Sequence, residues 1–192
     1  MTLKITESEE HLLIENCRKK DQKAQKEVFN KYASKMLGIC NRYLRDFNQA
    51  EDVMIGGFVK VFDKIEQYKG DGSFEGWVRR IMVNEALTFI RKNKNMYLEV
   101  DIEAADREPD YGTLSNVLEA NDLLKLVHDL PTGYRTVFNM YAIEGYSHKE
   151  IAKQLGVSEN TSKSQLSRAR VLLQKQLTKL ETSFIKNSNQ DG

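Results

Sequence analysis

Ser147-His148-Lys149-Glu150-Ile151-Ala152-Lys153-Gln154-Leu155-Gly156-Val157-Ser158-Glu159-Asn160-Thr161-Ser162-Lys163-Ser164-Gln165-Leu166-Ser167-Arg168-Ala169-Arg170 reads as two short helices joined by a tight glycine turn. Ser147 and Glu150 stand at the spacing of a capping box, which fixes where the first helix begins. Ile151 and Leu155, at i and i+4, make its apolar stripe, and Ala152 is small enough for another helix to approach closely. Gly156 supplies the left-handed conformation that ends the helix without steric cost. Ser158 is a good N-cap for the second helix. At about 100° per residue, Ser162, Leu166, Ala169 and Leu173 share one face, which is expected to be buried. Asn160, Ser164, Ser167 and Arg168 lie opposite, flanked by Lys163 and Gln165. Short donors and acceptors among cations suit base edges and phosphates. The pattern predicts a helix-turn-helix whose second helix lies against DNA. The plainer alternative is a polar helical hairpin with a solvated face. The cap, glycine turn, second cap and cationic face together favour DNA.

Working outward, the 192 residues suffice for one large or two small domains. Charged residues are abundant and only two prolines occur, which favours a mainly helical chain. No apolar run approaches the ~20 residues of a membrane span. The N-terminal Met1-Thr2-Leu3-Lys4-Ile5-Thr6-Glu7 lacks a signal-peptide pattern. Cys17 and Cys40 belong to no C-x-x-C and read as buried free thiols in a reducing cytoplasm. Net charge is only +1, but residues 96–122 hold one basic and eight acidic side chains. The stretches on either side each carry an excess of four positive charges. Such asymmetry points to partners rather than to fold.

The rest of the chain reads as helices. Thr6-x-x-Glu9 opens the first, with Leu12, Leu13 and Cys17 inward, and Asp21 caps a second carrying Ala24, Val28, Phe29, Tyr32, Met36 and Leu37. Asn48 with Glu51 opens a third, with Val53, Phe58, Val61, Phe62 and Ile65. After the loop Lys69-Gly70-Asp71-Gly72, Ser73 caps a fourth from about Phe74 to Lys92. Residues 93–115 are acidic and aperiodic and read as a linker. A helix follows over 117–130, Pro131 restarts another with Val137, Phe138 and Tyr141, and the tail from Lys186 is expected to fray. The fold class is therefore all-α. Two small helical domains, over 6–95 and 116–182, are joined by a flexible acidic linker over 96–115. Such a tether suits holding two DNA segments at once.

These strings resemble the extracytoplasmic-function (ECF) sigma factors, the smallest class of the bacterial sigma-70 family. In the first domain the resemblance rests on Ala50-Glu51-Asp52-Val53, Phe58-Val59-Lys60-Val61-Phe62 and Phe74-Glu75-Gly76-Trp77-Val78-Arg79-Arg80-Ile81-Met82-Val83-Asn84. In the second it rests on Leu130-Pro131-Thr132-Gly133-Tyr134-Arg135-Thr136-Val137-Phe138, Gly145-Tyr146-Ser147 and the run from Thr161 to Arg170. It covers about residues 10–95 and 115–180. It implies sigma regions 2 and 4, contact with core RNA polymerase through the helix holding Glu51, Asp52, Phe58 and Val61, and no catalytic centre. It further implies that the loop and helix around Tyr68, Lys69, Phe74, Arg79, Arg80 and Asn84 read the minus-10 element. The minus-35 element then falls to Arg135, Asn160, Lys163, Ser164, Gln165, Ser167 and Arg168. Promoter DNA, double- and single-stranded, is the implied nucleic-acid partner, and an anti-sigma factor a possible protein one. No cofactor or metal is implied.

The residues give these roles a physical basis. Capturing an unstacked base needs aromatic faces, worth ~1–3 kcal/mol per base, with cations along the backbone. Tyr68, Phe74 and Trp77 stand beside Lys69, Arg79 and Arg80, although Phe74 and Trp77 also read as core. Arg80 and Asn84, at i and i+4, share a face. Arg135 reads equally as a phosphate contact or as a cap on a neighbour. The chain departs from the family pattern at Ile55-Gly56-Gly57, where polar residues are usual, and the two helical glycines require close packing or a bend. It departs again at Ser162 and Gln165, where Val and Arg are common. Gln165 would suit adenine rather than guanine. Two other readings stand beside this one. A helix-turn-helix regulator would bind duplex tightly without polymerase. An enzyme is disfavoured because His11, His128 and His148 show no metal spacing and no P-loop is present.

Overall fold

The computed structural model of the chain describes residues 7–93 and 120–188. All regular elements among them are helical, and the chain divides into two compact units within the last turns of its fourth helix. No described helix is long and apolar enough to cross a membrane.

The first unit holds α1 (Glu7–Arg18), α2 (Gln22–Tyr43), α3 (Phe47–Asp63), a short 3-10 turn (Ile65–Gln67) and α4 (Phe74–Lys92). Asp21 caps α2 by accepting from the Ala24 N–H at 2.8 Å, and Ser73 caps α4 through the Gly76 N–H at 3.1 Å. The cap of α3 is Asp46, not Asn48: its carboxylate accepts from the Gln49 N–H at 2.8 Å, so the helix begins two residues earlier than its sequence suggests. The expected cap of α1, Thr6, lies outside the described residues.

Apolar side chains of three helices meet in the interior. Phe29 of α2 packs on Phe58 of α3, ring centres 4.9 Å apart, and Tyr32 of α2 meets Phe74 of α4 edge-on at 5.9 Å. Gly57 is buried where α3 passes α4; a Cβ there would lie 2.3 Å from the Met82 sulfur. Close packing thus explains this glycine. Gly56 has nothing within 4 Å of a Cβ, and nothing in the structure explains it. Ion pairs seam the surface, Lys60 to Glu85 at 2.6 Å and Lys35 to Glu75 at 2.7 Å. Cys17 and Cys40 are buried free thiols, and burial, the largest cause in both, pushes them up to about 11 and about 12.

The second unit holds α5 (Ala120–Asp129), α6 (Thr132–Phe138), a π-type turn (Asn139–Ile143), α7 (His148–Leu155) and α8 (Glu159–Ser188). Its core joins Leu130, Tyr134 and Ala169, with Phe138, Leu172 and Leu173 packed against them. The long α8 is the spine on which α5, α6 and α7 rest. It runs through Lys186 to Ser188, so the tail is helical further than its composition suggests. Val117, Leu118 and the acidic linker lie outside the described residues.

Candidate nucleic-acid interface

Each local signal around the glycine turn has its expected geometry. Ser147 accepts from the Glu150 N–H, and the Glu150 carboxylate accepts from the Ser147 N–H at 2.9 Å, closing the capping box. Gly156 sits at φ 70°, ψ 33°, the left-handed conformation that ends α7. Ser158 Oγ accepts from the Thr161 N–H at 2.9 Å and starts α8. The first turns of α8 then divide as the 3.6-residue period requires. Ser162, Leu166 and Ala169 are buried; Asn160, Lys163, Ser164, Ser167 and Arg168 are exposed together. Five polar or cationic side chains on one face of a capped second helix form a surface suited to groove edges and phosphates.

Two expected members of that surface are not on it. Gln165 is buried, and its Oε1 has no hydrogen-bond partner, because it turns with Leu166 toward the interior rather than flanking Lys163. Arg135 is fully buried. Its guanidinium donates to the carbonyl oxygens of His128 at 2.9 Å and Leu130 at 3.0 Å, satisfying the open carbonyls at the end of α5. Of the two readings of Arg135, the cap is the one the structure contains.

A contact that the sequence reading missed ties the motif together. His148, the first residue of α7, shares a hydrogen bond of 2.9 Å between its Nδ1 and the Oγ of buried Ser162 on α8. The imidazole stacks on Tyr141 of the π-type turn, centroids 4.5 Å apart, and Arg170 of α8 lies over the same tyrosine at 5.9 Å. Burial first, then the charges of Lys163 and Arg170, holds His148 below the usual imidazole value against the opposing pull of Glu159. The signal available in the sequence was a lone serine among apolar residues on the inner face of α8.

In the first unit the loop ahead of α4 is held at both ends. Arg18 donates to the Tyr68 carbonyl oxygen, and the Tyr68 hydroxyl donates to the Gly72 carbonyl oxygen at 2.8 Å. Between them Gly70 and Gly72 adopt φ of 84° and 94°, which a side chain would resist. Tyr68, Phe74 and Trp77 form one aromatic cluster, with ring centres 5.2–5.7 Å apart. Phe74 is its buried floor and therefore presents no free face, so the core reading holds for it. Tyr68 and Trp77 are half-buried, and Lys69, Arg80 and Asn84 are exposed, with Arg79 partly so.

Along α3, Glu51 and Asp52 are exposed as expected, whereas Phe58 and Val61 are buried in the unit's own core. Ile55 and Val59 take the outer face instead, 47% and 56% exposed, so the exposed apolar surface of this helix lies on a different side from Phe58 and Val61. Among the described residues no group of three or more His, Cys, Asp or Glu side chains is placed to hold a metal ion.

Comparison with known proteins fits this geometry. The Sigma-70 region 2 family model matches residues 28–96, and the Sigma-70, region 4 model matches residues 120–173. The chain is 28% identical over 180 residues to the ECF RNA polymerase sigma-E factor of Haemophilus influenzae, covering 88% of this chain and 95% of that protein. It is 29% identical over 181 residues to the ECF RNA polymerase sigma factor SigW of Bacillus subtilis, covering 87% and 96%. Among solved structures it is similar to CnrH in complex with the cytosolic domain of CnrY, at 20% identity and TM-score 0.47 over 87% of this chain and 96% of that one. It is also similar to the sigma factor RpoE in complex with the anti-sigma factor NepR from Bartonella quintana, at 21% identity and TM-score 0.49 over 80% and 96%. With region 2 falling on the aromatic loop and its helices and region 4 on the capped helix-turn-helix, the chain belongs to the sigma-70 family as an ECF sigma factor, a non-catalytic RNA polymerase subunit of transcription initiation.

Proposed function

We propose that the two units divide promoter recognition between them, with residues 6–95 and 116–182 as the working domains and 96–115 as the tether. The α8 face of Asn160, Lys163, Ser164, Ser167 and Arg168 reads the minus-35 duplex. Its joint exposure on a capped second helix is the observation that carries this reading. Tyr68, Lys69, Arg79, Arg80 and Asn84 engage the minus-10 element: the two exposed residues one turn apart, Arg80 and Asn84, track the backbone and one base, and the half-buried aromatics offer a stacking surface.

Core RNA polymerase docks on the outer face of α3, where Glu51 and Asp52 adjoin Ile55 and Val59. Apolar side chains beside two carboxylates make this contact more hydrophobic than a wholly polar one, and such residues supply the dry centre of an interface. An anti-sigma factor is a further partner proposed from the family resemblance. Action in the cytoplasm, where polymerase meets DNA, belongs to the same reading.

The test is reconstitution with core polymerase and a promoter library, scoring which DNA opens. A defined pair of promoter elements, opened only when this chain is present, is the expected result. Tight duplex binding by the chain alone, with no change in what polymerase opens, would overturn the proposal in favour of an independent regulator.

A further inference from the structure

The inner face of a recognition helix is ordinarily apolar, since it is what holds the helix in place. Here its first buried position is Ser162, fully inaccessible, with Leu166 and Ala169 following it along the face. A buried hydroxyl left unpaired costs ~1–3 kcal/mol. His148 meets it at 2.9 Å from the first residue of the preceding helix. The ring is held in turn by its stack on Tyr141, at 4.5 Å and 22° between planes. Arg170, two turns along α8 from Ser162, closes the circuit over Tyr141. Three elements, the π-type turn, α7 and α8, are thus fastened by one polar and aromatic clasp.

We propose that the His148–Ser162 hydrogen bond is a positioning contact that sets the placement of α8 on the minus-35 duplex. A hydrogen bond is directional where apolar packing is not. It fixes how far α8 is rotated and slid against α7. Ser162 is followed by Lys163 and Ser164, both on the exposed face, so whatever fixes the Ser162 backbone fixes where those side chains arrive. A change in that placement alters the reach and angle at which these side chains meet a base edge, and base readout is worth ~1–3 kcal/mol per good contact. Neither His148 nor Ser162 need touch DNA for this. Ser162 contributes selectivity at the expense of the tighter packing that an apolar side chain would give.

The inference rests on the reading of α8 as the minus-35 contact, and its test separates the two. Full-length Ser162→Thr and Ser162→Val are assembled with core polymerase and assayed on a library randomised over the minus-35 element. Threonine and valine have nearly the same shape and differ in the hydroxyl, so overpacking is common to both. Thermal melting of each chain is recorded beside the library. Threonine is expected to keep the wild-type base preference. Valine is expected to alter it by at least about fivefold at one or more base pairs, with a melting temperature no lower than that of the threonine variant. Equal preferences for the two variants would overturn the proposal. If valine prevents folding, His148→Phe keeps the stack on Tyr141 but removes Nδ1, and an unchanged base preference there is equally fatal. Lys163→Ala and Arg168→Ala run in parallel. If neither weakens binding to any minus-35 sequence, the reading of α8 itself has failed; if both do while the valine and threonine variants agree, only the clasp has.

Discussion

Nη1 of Arg135 donates to the carbonyl oxygen of Leu130 at 3.0 Å, reaching back across Pro131 from inside the second unit. The same nitrogen donates to the His128 carbonyl oxygen at 2.9 Å, so one buried cation closes the end of α5 and joins it to α6. A cation at a helix C-terminus also complements the helix dipole. Hydrogen bonds to a charged group contribute ~1.5–3 kcal/mol each. Arg135→Ala is therefore expected to destabilise the second unit by about 3 kcal/mol or more, read from urea unfolding. The salt dependence of promoter binding by the chain that remains folded should not change. A fall in that dependence would instead return Arg135 to the DNA surface.

The two adjacent glycines of α3 should respond in opposite directions. Gly56→Ala meets open space and gains helix propensity, about 1 kcal/mol. Gly57→Ala gains the same propensity, but its Cβ must displace the sulfur end of the fully buried Met82 side chain, an overpacking of ~1–3 kcal/mol that outweighs the gain except at its lower limit. The expected net is a stabilised and a destabilised variant. Fluorescence of Trp77, the chain's single tryptophan, reports the unfolding of this unit.

Lys163 and Arg168 are exposed on the outer face of α8. Changing either to alanine should lower the slope of log affinity against log salt by about 0.9 for each phosphate that the side chain neutralises. Gln165→Ala, a change at a buried position, should leave that slope alone. Binding of a promoter fragment by the reconstituted holoenzyme, measured at several salt concentrations, decides between them.

Asn84 lies exposed on α4 one turn beyond Arg80. Asn84→Ala is expected to slow opening of double-stranded promoters while leaving initiation from premelted templates near wild type. Abortive transcript formation on matched templates is the measurement, and equal losses on both would remove Asn84 from the melting step.

His148 gives the second unit a dependence on pH. Its proton is disfavoured in the folded chain by burial first and then by Lys163 and Arg170. An imidazole held below its unfolded value of ~6.5 leaves stability intact above that pH. As pH falls through ~6.5 toward the lower folded value, the unfolded chain binds the proton more readily and stability is lost. Urea midpoints should therefore fall between pH 7 and pH 5 more steeply in the wild type than in His148→Gln. The variant starts lower, without the bond to Ser162, but follows a flatter course. Parallel curves would show that the imidazole makes no such contribution.

Local chemistry explains why parts of this architecture were readable in advance. The capping box of Ser147 and Glu150, the left-handed Gly156 and the caps at Asp21, Ser73 and Ser158 depend on residues within four positions of one another. Their geometry follows from their spelling. Asn48 misled because Asp46, an equally good cap, lies two residues upstream and nothing local ranks them. Arg135 and Gln165 belong to a different class of problem. Their burial is decided by neighbours distant in sequence or by carbonyl oxygens, which every residue possesses and no sequence displays. On α3 the apolar residues nearly encircle the helix between Val53 and Val61. Periodicity alone does not say that Ile55 and Val59 face outward until α2 and α4 have claimed the other sides. The His148–Ser162 bond was hidden for the same reason, although a serine at an interior position pointed to a missing partner.

The loop between Tyr68 and Ser73 carries one more consequence. Arg18 fastens one end and the Tyr68 hydroxyl fastens the other, while Gly70 and Gly72 already occupy their left-handed conformations. Immobilising a flexible residue costs ~1–2 kcal/mol of backbone entropy. That loss falls on the folding of the first unit and not on the arrival of nucleic acid. On the proposed reading of this loop as part of the minus-10 contact, a base would meet a shaped, waiting surface, so that more of its contact energy would remain as affinity.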